Sequence, residues 1–347
     1  LCSLAREIDA DLVVVGPEVP LVEGIVDRLS LMGISAFGPS AAAAQLEGSK
    51  QFAREFCARH NIPQPAYNVV NDYQSASKYI DNYGGNCVIK ADGLAAGKGV
   101  FVANNAESAR KAAKRMLDGQ FGKSGNRIII EEKIIGPEAS LFALLDGENA
   151  LLMATAQDYK RAFDNDEGPN TGGMGAISPS PHLDKNLEKT VMETIVFPVV
   201  RGMAIEKTPY LGVLYVGLML TEQGPRVIEF NCRFGDPEAE VILPRLKSDI
   251  VGAMLATTTK SLGHFDMRWD DRVAVTVVMA NKGYPGSYNN GSLIKNIAQA
   301  DNGLDQLVFH SGTGQNEDGA IIAIGGRVLA VTALGETTAT ARSMAYN

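Results

Sequence analysis

Arg226-Val-Ile-Glu-Phe-Asn-Cys-Arg-Phe-Gly-Asp-Pro-Glu238 reads as a strand running into a turn, with a polar side chain at every second position. Side chains of a strand point alternately to its two faces. Glu229, Asn231 and Arg233 therefore share one face, and Ile228, Phe230 and Cys232 share the other, which is expected in the core. The polar face offers a carboxylate and an amide oxygen, the hard ligands that Mg²⁺ takes while keeping positions for phosphate and water. Arg233 adds a planar cationic fork suited to an acyl phosphate or a phosphoryl group in transfer. The strand alone suggests an enzyme that uses a nucleoside triphosphate. A half-buried strand with solvent-facing polar residues has the same alternation.

A second stretch adds to it. Asn86-Cys-Val-Ile-Lys90 is a short apolar run ending in lysine, followed by Ala91-Asp-Gly-Leu-Ala-Ala-Gly-Lys-Gly99 and Val100-Phe-Val-Ala103. A P-loop does not fit. The spacing Gly93-Leu-Ala-Ala-Gly97-Lys98 is one residue short, Gly99 stands where Ser or Thr would bind Mg²⁺, and the residues that follow read as a strand instead of a helix. Strand, glycine-rich flap, strand is the better reading, with flap N–H groups, Lys90 and Lys98 available to phosphates. Arg127-Ile-Ile-Ile-Glu-Glu-Lys-Ile-Ile-Gly-Pro-Glu138 is a β-branched strand running into an acidic hinge. Glu131, Glu132 and Ile134 could serve an adenine through main chain and apolar walls, and Glu138 a ribose.

The order of these pieces resembles the ATP-grasp superfamily, and their wording narrows the resemblance. Leu46-Glu-Gly-Ser-Lys50, Ile89 to Val100, Gln157-Asp-Tyr-Lys-Arg-Ala162, Gly168-Pro-Asn-Thr-Gly-Gly-Met-Gly175 and Arg233-Phe-Gly-Asp-Pro-Glu238 look like phosphoribosylamine–glycine ligases, also called glycinamide ribonucleotide synthetases. The resemblance runs from about Asp11 to the last residues. It implies that ATP, glycine and 5-phosphoribosylamine give ADP, phosphate and glycinamide ribonucleotide, a step of purine biosynthesis.

Composition agrees with a soluble enzyme of several units. The 347 residues exceed what one core usually holds, and 45% hydrophobic with 21% charged residues is ordinary for a globular protein. A net charge of −8 argues against non-specific nucleic-acid binding. No apolar run is long enough for a membrane helix. Cys2, Cys57, Cys87 and Cys232 are scattered without a CxxC pair, as expected of free cytoplasmic thiols, and the four histidines show no metal-ligand spacing.

The expected architecture is multidomain α/β and α+β, with an ATP-grasp fold between a partial doubly wound N-terminal domain and a β-rich C-terminal domain. Residues 1–63 carry the strands Leu12–Val15 and Ile34–Phe37, a helix from Leu21 to Met32, and a helix capped by Ser49 that stops near Asn61 and Pro63. Residues 64–135 form the flap-bearing lid, 136–265 the main ATP-grasp sheet, and 266–347 the C-terminal domain. Relatives open with a strand, a glycine-rich turn and a helix, whereas Leu1–Ala10 already reads as helix and Met344–Asn347 as the middle of one. A fragment cut at both ends is the expectation, weak or inactive as a ligase because that first turn helps hold the phosphoribosylamine phosphate.

The resemblance also implies roles. Glu229 and Asn231 bind Mg²⁺ or Mn²⁺, Lys50 and Lys90 touch ATP, and Lys98 closes over the β/γ end. Arg233 stabilises the acyl phosphate, and Asp236 orients Arg233 or the loop. Lys160, Arg161, Asn170, Gly172 and Gly173 lie against glycine or its acyl phosphate. Fusion to, or association with, later purine enzymes is a further expectation. Tyr159 stands where the family usually has His, so a proton-carrying role there is not expected, and Glu240 stands where it usually has Gln. The alternatives are another ATP-grasp carboxylate–amine ligase and a non-catalytic nucleotide-binding module. A dinucleotide-dependent dehydrogenase lacks its G-x-G-x-x-G after Val15.

Overall fold

The computed structural model describes residues 1–95 and 99–347. By contact density the chain divides into two compact units: residues 1–153, 184–234 and 251–265 form the first, and residues 154–183, 235–250 and 266–347 the second.

The first unit opens with the helix Cys2–Glu7 and a short parallel pair, Val13–Val14 beside Ala36–Phe37. The helix expected over 21–32 is two helices, Glu18–Val22 and Ile25–Leu31. Gly24 separates them at φ +80°, a left-handed backbone that costs glycine little. Asp27, in the first turn of the second helix, accepts the Ala41 N–H at 2.8 Å. Ser49 caps the helix Lys50–Arg59 by accepting the Phe52 N–H, and Asn61 follows the helix in the left-handed region at φ +55°.

An antiparallel four-stranded sheet comes next, in the order Tyr67–Val70, Ile128–Glu132, Cys87–Ala91, Val100–Val102. The last two strands flank the flap, as the glycine-rich spacing indicates. Helices Tyr73–Asn82 and Ala106–Arg115 start at the Asp72 and Asn105 caps. They bury Ala76, Ile80, Ala109 and Ala112 against Cys87, Ile89, Ile128 and Ile130. The alternation that sends those four strand residues inward sends Lys90 and Glu131 to the opposite face.

Strands Glu138–Asp146, Leu211–Thr221 and Gly224–Asn231 complete this unit's sheet structure, with Leu211–Thr221 pairing antiparallel to both others. Gly217 pairs with Glu229 and Leu218 with Val227, so Ile228 is an extra residue, a β-bulge. Val227, Phe230 and Cys232 are buried, but Ile228 is half-buried. The expectation of Ile228 in the core is corrected: the bulge shifts the phase of the strand and leaves Ile228 on the side of Glu229.

The second unit is built on the neighbouring antiparallel strands Gly175–Ser178, Val273–Ala280, Arg327–Gly335 and Gln306–His310. Helix Thr338–Tyr346, capped by Thr337, packs Ala341 against Ile177 and Val275. Thr276 and Thr332, both buried, share a 2.9 Å hydroxyl hydrogen bond between adjacent strands.

Candidate active site

In the first unit a buried ion cluster lies behind the polar strand. Lys90 Nζ is 2.8 Å from Glu131 Oε2. The same carboxylate takes both arms of Arg54, Nε to Oε1 at 2.7 Å and Nη2 to Oε2 at 3.1 Å. Arg54 also donates to the carbonyls of Val227 at 2.9 Å and Ile228 at 2.7 Å, and Lys90 donates to Ile228 O at 2.8 Å. The bulge therefore turns one carbonyl toward two cations. Burial alone would raise Glu131, but Arg54 and Lys90 overcome it and hold the carboxyl below its usual range. Burial lowers Lys90; Glu131 opposes this, and the neighbouring Arg54 charge adds to it.

Lys50 reaches the start of the flap, where Nζ donates to Gly93 O at 2.9 Å. Asp92 accepts from Ser49 Oγ and Gln51 N at 3.0 and 3.2 Å, tying the helix start to the same place. Burial lowers the Lys50 pKa, with Glu229 the strongest opposing charge. Glu229 also stabilises the charged forms of Lys90 and Arg54, so its carboxylate stands within electrostatic reach of three cations. Among the described residues no group of three or more His, Cys, Asp or Glu side chains is gathered to hold a metal. Glu229 and Asn231 contribute one carboxylate and one amide on the half-buried face, a donor set that suits a hard divalent cation completing its shell with phosphate and water.

Arg233 Nε meets Glu18 at 2.9 Å and Nη2 meets Glu47 at 3.2 Å, while Nη1 donates to Phe234 O at 3.0 Å. Glu47 accepts the Cys232 N–H at 2.7 Å. Burial pushes Glu47 up to about 7, against the pull of Arg233 and this N–H.

The residues proposed for adenine and ribose are less uniform. The Glu131 carboxylate is committed to the ion cluster, and its residue is paired on both sides within the sheet, to Tyr67 and Val88. Glu132 exchanges hydrogen bonds with Ala66, N–H to carbonyl at 2.9 Å and Ala66 N–H to carboxylate at 3.3 Å. Ile134 follows the end of that strand and is half-buried; Glu138 is exposed at the start of the next. Lys98 lies outside the described residues.

The glycine-rich loop belongs to the second unit. Arg161 Nη1 donates to Gly168 O at 2.7 Å, the Lys160 carbonyl accepts the Thr171 N–H at 2.7 Å, and Lys160 Nζ is 3.7 Å from Asp158. Tyr159 exchanges main-chain hydrogen bonds with Gly175 and Met174. Asn170 and Gly172 are exposed, and Gly173 is buried. Both main-chain groups of Gly172 have protein partners: its N–H donates to Tyr284 Oη at 3.1 Å and its carbonyl accepts from Arg327 at 2.9 Å. Asp236 pairs with Arg327 at 2.8 Å, and Arg233 with glutamates of the first unit.

Sequence reading missed Arg54, Glu47, Arg327 and Tyr284. Arg54 left a signal, a charge on the buried stripe of a helix with Ala53, Phe56 and Cys57. Arg327 left none, because an arginine opening a C-terminal strand is unremarkable.

Comparison with known proteins decides the family. Models of phosphoribosylglycinamide synthetase match along the chain: the N domain at residues 1–47, the ATP-grasp (A) domain at 48–239 and the C domain at 274–347. The chain belongs to the phosphoribosylglycinamide synthetase family. It is 49% identical to the phosphoribosylamine–glycine ligase of Vibrio vulnificus (strain CMCP6), covering 100% of this chain and 81% of that one. It is 50% identical to the Mesorhizobium japonicum ligase, over 99% of this chain and 80% of that one. The crystal structure of the Thermotoga maritima phosphoribosylamine–glycine ligase superposes with a TM-score of 0.80 at 32% identity, covering 90% of this chain and 77% of that one. A Campylobacter jejuni biotin carboxylase shares the fold, with a TM-score of 0.76 at 16% identity over 98% of this chain and 74% of that one. A phosphoribosylglycinamide synthetase with an ATP-grasp fold is thus an ATP-dependent ligase, as the motifs implied.

Proposed function

We propose that the chain joins glycine to 5-phosphoribosylamine at the expense of ATP, through glycyl phosphate, to give glycinamide ribonucleotide, ADP and phosphate. One observation carries this reading: Glu229 and Asn231 share a half-buried face, and Lys50, Lys90 and Arg54 lie within the electrostatic reach of that carboxylate. A carboxylate resists attack by an amine because its charge repels the lone pair and oxide does not leave. Transfer of the ATP γ-phosphoryl group to glycine gives a carbonyl with phosphate as leaving group. The amine attacks that carbonyl, the C–O bond to phosphate breaks, and the amine releases a proton. No protein nucleophile is required, so catalysis rests on positioning and charge neutralisation.

In this reading Lys50 and Lys90 receive ATP phosphates, and Arg233 stabilises the acyl phosphate, with Glu18 and Glu47 holding its fork. Glu132, Ile134 and Glu138 border the nucleoside, while Asn170 and Gly173 border glycine. Glu229 and Asn231 would hold Mg²⁺ or Mn²⁺, which when bound neutralises polyphosphate charge. Cys2, Cys57, Cys87 and Cys232 are free thiols, which supports a reducing, cytoplasmic setting.

ADP release with Mg·ATP, glycine and freshly generated 5-phosphoribosylamine tests the proposal. Release that needs both co-substrates and falls at least about a hundredfold in Glu229→Ala is the expected result. Release driven by another carboxylic acid in place of glycine would overturn it.

A further inference from the structure

The glycines of the Gly168–Gly175 loop make close approaches within the second unit. A Cβ on Gly172 would lie 3.1 Å from the Arg327 guanidinium carbon, and one on Gly173, at φ +112°, would lie 2.4 Å from Pro237 Cδ. The missing side chains therefore admit Arg327 and the Asp236-Pro237 turn. Arg327 uses the space fully. Its Nη1 donates to Gly172 O at 2.9 Å and to Asp236 O at 3.1 Å, and is 2.8 Å from Asp236 Oδ1; Nη2 donates to Asp236 Oδ2 at 2.9 Å. One planar fork spans two separate segments of chain. A lysine ammonium carries its three donors on one nitrogen and cannot reproduce the paired geometry of the fork.

The base of this arginine is itself held. Arg327 opens the strand Arg327–Gly335, and its carbonyl accepts the Gly312 N–H at 2.9 Å. Tyr284 takes the other main-chain group of Gly172, its N–H, at 3.1 Å. Gly172 is thereby gripped from both sides by residues more than a hundred positions later in the chain, leaving Asn170 exposed.

We propose that Arg327 is a positioning residue for the amino-acid substrate: it locks the Gly168–Gly175 loop to the Asp236 turn and so sets affinity for glycine, not for ATP. This rests on the reading that places Asn170 and Gly173 beside glycine. In this inference Arg327 acts through the loop and not on the reacting atoms, and the residues assigned to ATP lie elsewhere in the sequence.

Steady-state kinetics of Arg327→Ala and Arg327→Lys test the inference. Loss of a charge-assisted contact set should raise KM for glycine about tenfold in Arg327→Ala, with KM for ATP changed less than about twofold. Arg327→Lys should fall between Arg327→Ala and the unsubstituted chain. Millimolar guanidinium should lower the glycine KM of Arg327→Ala and leave Arg327→Lys unaffected, a rescue that general loosening would not give. Tyr284→Phe, which removes the Gly172 partner without touching the charge pair, should raise the glycine KM in the same direction and decides the matter if Arg327→Ala does not fold. An unchanged glycine KM, or equal rises for glycine and ATP, would overturn the inference. Absence of glycine-dependent turnover in the unsubstituted chain would instead overturn the proposed function, and the inference with it.

Discussion

Glu240 shows what a single residue can reveal only once it is folded. In the sequence it is a carboxylate where the resemblance implies an amide. In the structure its Oε2 is buried without a hydrogen-bond partner. Burial, with Asp236 adding to it and Arg327 opposing, raises the pKa from 4.5 to about 7. The folded chain therefore keeps a proton that the unfolded chain releases between about pH 4.5 and 7. Stability falls as pH rises through that window and levels off above it, by on the order of 3 kcal/mol at most. Glu240→Gln should flatten this slope and raise the melting temperature more at pH 8 than at pH 5, with Glu47 supplying the slope that remains. Thermal unfolding at the two pH values checks it; an equal change at both would show that Glu240 ionises normally. The Gln-to-Glu departure was legible in the sequence. Its meaning was not, because a buried oxygen without a partner depends on everything packed around it.

At the scale of elements, the sequence was most readable where period and caps act locally. The Ser49 cap and the strand–flap–strand order follow from residues a few positions apart. The misreadings lie where a distant partner decides. Gly24 breaks a helix whose next turn is tied to Ala41, and the bulge at Ile228 is visible only from its pairing with Gly217 and Leu218. Arg54 belongs to the same class, since its carbonyl partners are Val227 and Ile228. Removing it from a buried cluster leaves Glu131 with one cation and the Val227 carbonyl without this donor, while Ile228 O keeps Lys90. Arg54→Ala should cost about 3–5 kcal/mol, and Arg54→Lys less. Urea unfolding measures both; a loss under about 1 kcal/mol in Arg54→Ala would show that water replaces the guanidinium.

For the whole molecule, the acidic net charge and the phosphate-binding reading are compatible because the cations are gathered instead of spread. Lys50, Lys90 and Arg54 come together in the first unit of a chain with net charge −8. No helix of the described residues is long and apolar enough to cross a membrane. A ligand that binds only the folded chain stabilises it by about 2.7 kcal/mol at a hundred times its dissociation constant. Saturating Mg·ATP should accordingly raise the melting temperature by several degrees, NAD should not, and Glu229→Ala should lose most of the shift. Equal shifts with ATP in the presence and absence of divalent cation would remove the metal from the binding step. The polar strand was readable from alternation. The grip of Arg327 on the loop was not, because 155 positions separate it from Gly172.

The bulge at Ile228 acts on the strand as an inserted letter acts on a reading frame. Before it, odd-numbered residues such as Pro225 and Val227 face inward; after it, even-numbered Phe230 and Cys232 do. Were the same residues paired without a bulge, Glu229 and Asn231 would fall in the buried phase and Phe230 would meet solvent. Lineages of this chain can thus exchange one apolar residue for another at position 228; shortening the strand there by one residue would keep both oxygen ligands on the polar face but forfeit the carbonyl that receives Arg54 and Lys90.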